Sequence, residues 1–250
     1  REREIKAFIP ETYWTLSVTC ETLKKESIVF SCTEEPRDKK VVDQILSDGK
    51  SGSWYVKEVK ESEQKRSPRA PFTTSTLQQT ASSRLGFSPS RTMQVAQKLY
   101  EAGHISYMRT DSTTISKQVL ESISTLVQKK YGKEYAETRE YKTKSKNAQE
   151  AHEAIRPTHI EKLSAGNNEE QKKLYALIWE RTISSQMTDA KLLKTRIVTN
   201  IKGDTIPDFS VTGSQVLFPG WLTVDTGARG EDVELPEVKQ NDPLTLIDLG

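Results

Sequence analysis

Two kinds of hydrophobic periodicity divide the chain into three segments. Residues 1–66 and 193–250 contain short runs in which apolar and polar residues alternate, a pattern typical of half-buried strands. Residues 67–192 carry apolar residues three or four positions apart, which is typical of amphipathic helices. We therefore predict an α+β multidomain fold, in which an arch-like or barrel-like β domain is interrupted by an inserted, mostly helical domain.

The start of the helical segment suggests a winged-helix-like arrangement. Two predicted helices, over 76–85 and 89–102, are joined by a three-residue turn, and Gly86 and Gly103 follow their ends. The stretch 103–112 then has the pattern of a short strand ending in a polar turn. Two helices followed by a strand form the outline of a helix-turn-helix with a wing.

Charge is distributed unevenly along the chain. The whole sequence has a formal net charge of only +2, but residues 67–192 hold 19 Lys and Arg against 13 Asp and Glu. The remainder holds 18 basic against 22 acidic residues. A basic helical insert indicates a polyanionic partner, although an ordinary solvated surface would explain the same excess.

Composition also excludes some classes of protein. No apolar run approaches the roughly 20 residues of a membrane-spanning helix, so we expect a cytoplasmic protein without membrane contact. Cys20 and Cys32 are the only cysteines and lie on neighbouring predicted strands. A disulfide between them is conceivable, but two buried thiols are favoured in a cytosolic protein, and a zinc site lacks ligands nearby.

Tyr107 and Arg109 are the candidates for chemistry. On a strand the two side chains would project from the same face. A phenol beside a permanent cation is a plausible nucleophile for a phosphodiester, because positive charge favours the phenolate and Arg can hold the phosphate. The alternative is a half-buried tyrosine in a strand, with a solvated arginine beyond it.

Three motifs then occur in order along the helical segment. They are PFTTSTLQQ at 71–79, LYEAGHISYMRTDS at 99–112 and EAHEAIRPT at 150–158. Together they closely resemble bacterial type IA DNA topoisomerases, and the resemblance extends over the whole chain. The MRTDS form of the tyrosine motif resembles the topoisomerase I branch, because the topoisomerase III branch usually has Pro in place of Met108.

The resemblance implies a role for each candidate residue. Tyr107 matches the nucleophile that breaks one DNA strand through a 5′-phosphotyrosine intermediate, without ATP, and so relaxes negative supercoils. Arg109 matches the arginine that binds the scissile phosphate, and His152 matches a histidine near the nucleophile. Asp111 is implied to contact DNA, with a structural turn or helix-cap role as the alternative. Arg156 is implied to contact phosphate, with an ion pair to Glu153 as the alternative.

The resemblance also implies parts that this chain does not contain. The family binds Mg²⁺ through a Toprim domain carrying a Glu and an Asp-x-Asp pair, and Asp-x-Asp occurs nowhere in this sequence. We therefore expect an internal fragment of a longer, nucleoid-associated enzyme, with no cofactor or metal site of its own and no activity alone. Its expected partners are single-stranded or negatively supercoiled DNA and the remaining domains of the enzyme.

Two other functions remain open at this point. A non-enzymatic winged-helix DNA-binding module would explain the helix-turn-helix outline and the basic insert. A tyrosine recombinase is a weaker alternative, because in that class the tyrosine is surrounded by Arg and His residues on helices.

Overall fold

A computed structural model describes residues 2–9, 11–141, 153–230 and 232–250. Within these ranges there are six α-helices and six strands. The helices are α1 (Glu2–Ala7), α2 (Lys39–Ser51), α3 (Thr74–Leu85), α4 (Pro89–Glu101), α5 (Lys117–Tyr131) and α6 (Glu169–Ser184). The strands are β1 (Ser17–Glu21), β2 (Ser27–Cys32), β3 (Trp54–Arg66), β4 (Ala190–Ile201), β5 (Phe209–Phe218) and β6 (Thr245–Leu249). The fold is therefore α+β, as predicted.

The chain divides into two compact units. The β unit comprises Arg1–Gln64, Leu193–Gln215 and Asp232–Gly250, and the helical unit comprises Lys65–Leu192 and Val216–Glu231. The sequence prediction placed all of 193–250 in the β domain, whereas the contacts assign Val216–Glu231 to the helical unit. Part of this segment, Gly220–Thr223, is a 3₁₀ turn. The Trp221 indole N–H donates to Arg66 O at 2.7 Å, which fixes the turn within the helical unit.

The β unit is built on one sheet with the strand order β3-β4-β5-β2-β1-β6. β1 pairs antiparallel with β2 and β6, and β2 pairs antiparallel with β5. The chain just before β6 also bonds to β3, because Val56 N–H donates to Asp242 O at 2.9 Å and Leu244 N–H donates to Trp54 O at 3.0 Å. These bonds link the two outer strands of the sheet.

Alternating side chains of the sheet form the core of the β unit. Phe30 is fully buried, and the rings of Trp54 and Phe209 pack edge to face with their centroids 5.4 Å apart. α2 packs on this core, and Gly49 O accepts a hydrogen bond from the Trp54 indole at 2.8 Å. Cys20 is also buried and unpaired, and burial raises the pKa of its thiol to about 12.

Sequence signals at helix ends account for the start of the helical unit. Thr73 caps α3 and forms a capping box with Thr76, and the helix ends at Gly86, whose φ of 69° is in the left-handed region. Ser88 then caps α4, and its hydroxyl accepts from Arg91 N–H. The most deeply buried element of the unit is α6, whose Leu174, Tyr175, Leu177, Ile178, Trp179 and Ile183 lie in the core.

Candidate active site

The stretch that carries Tyr107 is not a strand, which corrects the sequence prediction. Between α4 and α5 the chain forms turns and bends, and Ile105 alone makes a bridge, to Pro157. Gly103, with a φ of 71°, reverses the chain directly after α4. The side chain of Ser106 then bonds to the backbone of a distant segment, as shown below. The strand predicted as a wing is therefore absent from the described chain at this position.

Backbone hydrogen bonds bring the three sequence motifs together. Ile155 N–H donates to Phe72 O at 2.8 Å, and Ser106 N–H donates to Arg156 O at 2.8 Å. The Ser106 hydroxyl donates to Ala154 O at 2.7 Å and accepts from Arg156 N–H at 2.9 Å. The segment 153–158 therefore lies between the first motif and the tyrosine motif and bonds to both.

The same segment also bonds to both ends of the tyrosine loop, residues 103–114. Thr158 N–H donates to His104 O at 3.1 Å, and its hydroxyl donates to Gly103 O at 2.6 Å. At the other end, Ala154 N–H donates to Thr114 O at 2.8 Å. The tyrosine loop is thus anchored on a backbone network although it has no regular secondary structure.

Tyr107 lies at the surface of this loop. Its side chain is 46% exposed, whereas Ile105 and Met108 on either side of it are buried in the core. The ring packs edge to face against Tyr100 in the last turns of α4, with centroids 5.4 Å apart and an interplanar angle of 67°. The buried neighbours and the Tyr100 contact hold the ring, while Tyr107 itself remains exposed.

Arg109 and Asp111 are both exposed on the same loop. Neither side chain forms a hydrogen bond or ion pair within the described residues, and no hydrogen bond or cation–π contact joins Arg109 to Tyr107. The donors of the guanidinium are therefore available to an anion. Within the described residues Asp111 does not cap the turn, and Thr114 N–H, three residues on, is bonded to the Ser112 hydroxyl at 3.1 Å.

Arg156 is partly buried and forms an ion pair with Glu153. Its Nη2 is 2.6 Å and its Nε 3.1 Å from Glu153 Oε2, and only 14% of its side chain is exposed. Glu153 Oε1 also accepts from Ser116 N–H at the start of α5, at 3.0 Å. The pairing alternative considered for Arg156 is therefore present, while contact with phosphate stays a prediction. His152 lies outside the described residues.

Sequence reasoning missed one unusual residue near this site. Arg181 on α6 is 4% exposed, stacks on the ring of Phe72 at 4.3 Å, and leaves Nε and Nη2 without a hydrogen bond in the described chain. Burial lowers the pKa of this guanidinium to about 10. Arg181 follows Leu177 and Ile178 by one helical turn on the same face of α6, and a charge on this apolar face is the signal that could have identified it.

Metal-binding clusters and membrane-spanning helices are both absent from the described part of the chain. Among residues 2–9, 11–141, 153–230 and 232–250, no group of three or more His, Cys, Asp or Glu side chains is placed to hold a metal ion. None of the helices described is long and apolar enough to cross a membrane.

Comparison with known proteins identifies the family. The family model described as DNA topoisomerase matches residues 1–249. DNA topoisomerase 1 of Helicobacter pylori strain 26695 is 40% identical over 266 residues, which cover 98% of this chain and 36% of that protein. DNA topoisomerase 1 of Escherichia coli K12 is 37% identical over 261 residues, covering 100% of this chain and 30% of that protein.

A solved structure agrees with these relatives. The structure of full-length topoisomerase I from Thermotoga maritima superposes with a TM-score of 0.78 at 32% sequence identity, covering 100% of this chain and 42% of that one. The chain thus spans about a third of the length of the two relatives named above. With its three motifs joined in one backbone network, this chain belongs to the bacterial type IA DNA topoisomerases and corresponds to a region of topoisomerase I.

Proposed function

We propose that Tyr107 is the residue that breaks and rejoins one DNA strand in a type IA topoisomerase. The phenol oxygen attacks a phosphodiester of single-stranded DNA and loses its proton. The bond from phosphorus to the 3′-oxygen breaks, and that oxygen leaves as a 3′-hydroxyl, which leaves a 5′-phosphotyrosine. The observation that carries the proposal is the exposure of Tyr107, 46%, on a loop bonded to both other family motifs.

Rejoining is the reverse of the same transfer. After a second strand has passed through the gap, the 3′-hydroxyl attacks the phosphotyrosine and releases the phenol. Because the ester conserves the energy of the broken bond, the cycle needs no ATP. Passage of the second strand through the gap relaxes negative supercoils. The partners proposed for the whole enzyme are therefore single-stranded or negatively supercoiled DNA and its other domains.

Arg109 is proposed to hold the scissile phosphate. It is exposed, has no acidic partner in the described chain, and follows Tyr107 by two residues on the same loop. Its planar fork of donors suits a phosphate whose charge increases during transfer. Asp111 and Arg156 are proposed to assist DNA binding, and His152 to act beside the nucleophile.

Mg²⁺ is implied for the whole enzyme by its family. Among the residues that the structure describes, no group of three or more His, Cys, Asp or Glu side chains is placed to hold the ion. We propose that a Toprim domain elsewhere in the enzyme holds Mg²⁺ and that the chain alone does not relax DNA.

A covalent-capture assay tests the nucleophile. The chain is combined with a Toprim-bearing portion of the enzyme, Mg²⁺ and single-stranded DNA labelled at its 3′ end, because the 5′-phosphotyrosine retains that end. We expect a labelled protein adduct that is lost in Tyr107→Phe. Tyr100→Phe is the matched control, because Tyr100 is 41% exposed and contacts the same ring, yet it is expected to retain the adduct. An adduct that survives Tyr107→Phe would overturn the assignment.

A further inference from the structure

A single threonine contacts the tyrosine loop on both sides of Arg109. The Thr74 hydroxyl donates to two carbonyl oxygens, Met108 O at 2.8 Å and Thr110 O at 3.1 Å. It also accepts a hydrogen bond from Thr110 N–H at 2.9 Å. Thr74 N–H also donates to Thr110 O at 2.9 Å. The backbone before and after Arg109 is therefore bonded to one residue, which lies 34 to 36 positions earlier in the chain.

These contacts determine where the intervening side chain can point. Met108 and Thr110 are 1% and 7% exposed, so both neighbours of Arg109 are fixed in the interior. Arg109 itself is exposed. With the backbone bonded on both sides, the direction in which its side chain leaves the loop is set in advance. Such pre-organisation lowers the entropy that must be lost when a phosphate is bound.

Thr74 is itself held on a rigid support. It is the first residue of α3, whose start is fixed by the reciprocal bonds of Thr73 and Thr76, with Thr73 N–H donating to Thr76 Oγ1 at 2.9 Å. Leu77, one turn further on, is fully buried in the core. The hydroxyl therefore projects from a fixed helix end to the loop, and its position does not depend on the loop being ordered.

We propose that Thr74 is a positioning residue for Arg109, acting through the backbone of residues 108–110 without touching DNA. This inference rests on the proposed function of the loop. Loss of the hydroxyl leaves Arg109 and Tyr107 chemically intact but removes its three hydrogen-bond contacts to residues 108 and 110, which orient the loop. The rate of strand cleavage at saturating DNA therefore falls by about tenfold or more. Binding of single-stranded DNA, to which many other contacts contribute, changes much less.

The test compares Thr74→Val, which keeps the shape without the hydroxyl, with Thr74→Ser, which keeps the hydroxyl. Ser83→Ala is the matched control, because it removes a hydroxyl near the other end of the same helix, where its 3.2 Å bond to Thr80 O does not involve Thr74 or the capping box. The first readout is amide hydrogen exchange of Thr110, whose N–H donates to the Thr74 hydroxyl. The second is the rate of adduct formation at saturating single-stranded DNA in the covalent-capture assay, with DNA affinity measured separately.

We expect Thr74→Val to speed exchange at Thr110 and slow adduct formation, with Thr74→Ser close to the parent in both readouts. Ser83→Ala is expected to leave both near the parent. An unchanged adduct rate in Thr74→Val overturns the inference, as does an equal slowing in Ser83→Ala. Failure of the proposed function has a different signature, since the parent itself would then form no adduct at Tyr107.

Discussion

Replacing Ser106 by Ala tests whether the segment 153–158 anchors the tyrosine loop. The Ser106 hydroxyl donates to Ala154 O at 2.7 Å and accepts from Arg156 N–H at 2.9 Å. Both bonds are lost in the variant, whereas the backbone bond from Ser106 N–H to Arg156 O remains. The substitution therefore removes one of the links between two motifs while leaving their packing in place.

The expected cost follows from the number of groups left without a partner. Each lost hydrogen bond contributes about 1 kcal/mol, and a buried group left unpaired costs about 1 to 3 kcal/mol. Ala154 is fully buried, so solvent compensates poorly for the hydrogen bond that its carbonyl loses. Arg156 is partly buried, so solvent compensates better for the bond that its backbone N–H loses. We expect the helical unit to lose about 2 to 3 kcal/mol of unfolding free energy.

The measurement must report on the helical unit alone, because two units need not unfold together. Urea-dependent hydrogen exchange, read by mass spectrometry on peptides from 65–192, meets this requirement. Ser83→Ala is the matched control, because its hydroxyl makes one 3.2 Å bond to Thr80 O within α3. The control is expected to stay within about 0.5 kcal/mol of the parent. A loss below about 1 kcal/mol for Ser106→Ala would refute the anchoring role.

Two further predictions concern the helical unit. Gly220 has a φ of 50°, and in Gly220→Ala the new Cβ would lie 2.5 Å from Asp189 O. We therefore expect this variant to lose more than about 2 kcal/mol of unfolding free energy, measured by urea titration. Gly86→Ala, with φ at 69° and no atom within 4 Å, should lose only about 1 kcal/mol, and equal losses would contradict the argument. Burial raises the pKa of the Tyr175 phenol from 10.0 to about 12. As the pH rises, this phenol therefore loses its proton in the unfolded chain before it does so in the folded one, and the free energy of unfolding should fall between pH 10 and 12. Tyr175→Phe should make that fall shallower in urea titrations at each pH, and an unchanged pH dependence would refute it.

Hydrophobic periodicity predicted the parts of the fold that depend on local pattern. Alternation in β1 and β2 and the capping residue Ser88 of α4 left clear signals in the sequence, and the structure contains those elements. β3 continues to Arg66, and its polar second half remains in the sheet although most of its side chains are exposed. A strand exposed on both faces has no alternation to detect.

The loop around Tyr107 could not be predicted in this way. Its residues alternate as a strand would, but Ser106 bonds to a backbone about 50 positions away, and Thr74 bonds across about 35 positions. Hydrogen bonds of this kind leave no periodic trace along the chain. The family motifs identified Tyr107 and Arg109 as candidates, but only the fold shows that the motifs share one backbone network and that Arg156 is paired with Glu153.

The bonds of Val56 and Leu244 that join the outer strands also bear on self-association. Unpaired strand edges attract edges of other molecules, and here the first residues of β3 are already occupied by the chain preceding β6. Further along β3, the sequence KEVKESEQKR places a charge at most positions, which opposes docking of a second strand. The edge of β3 is thereby protected against the growth of β-linked aggregates.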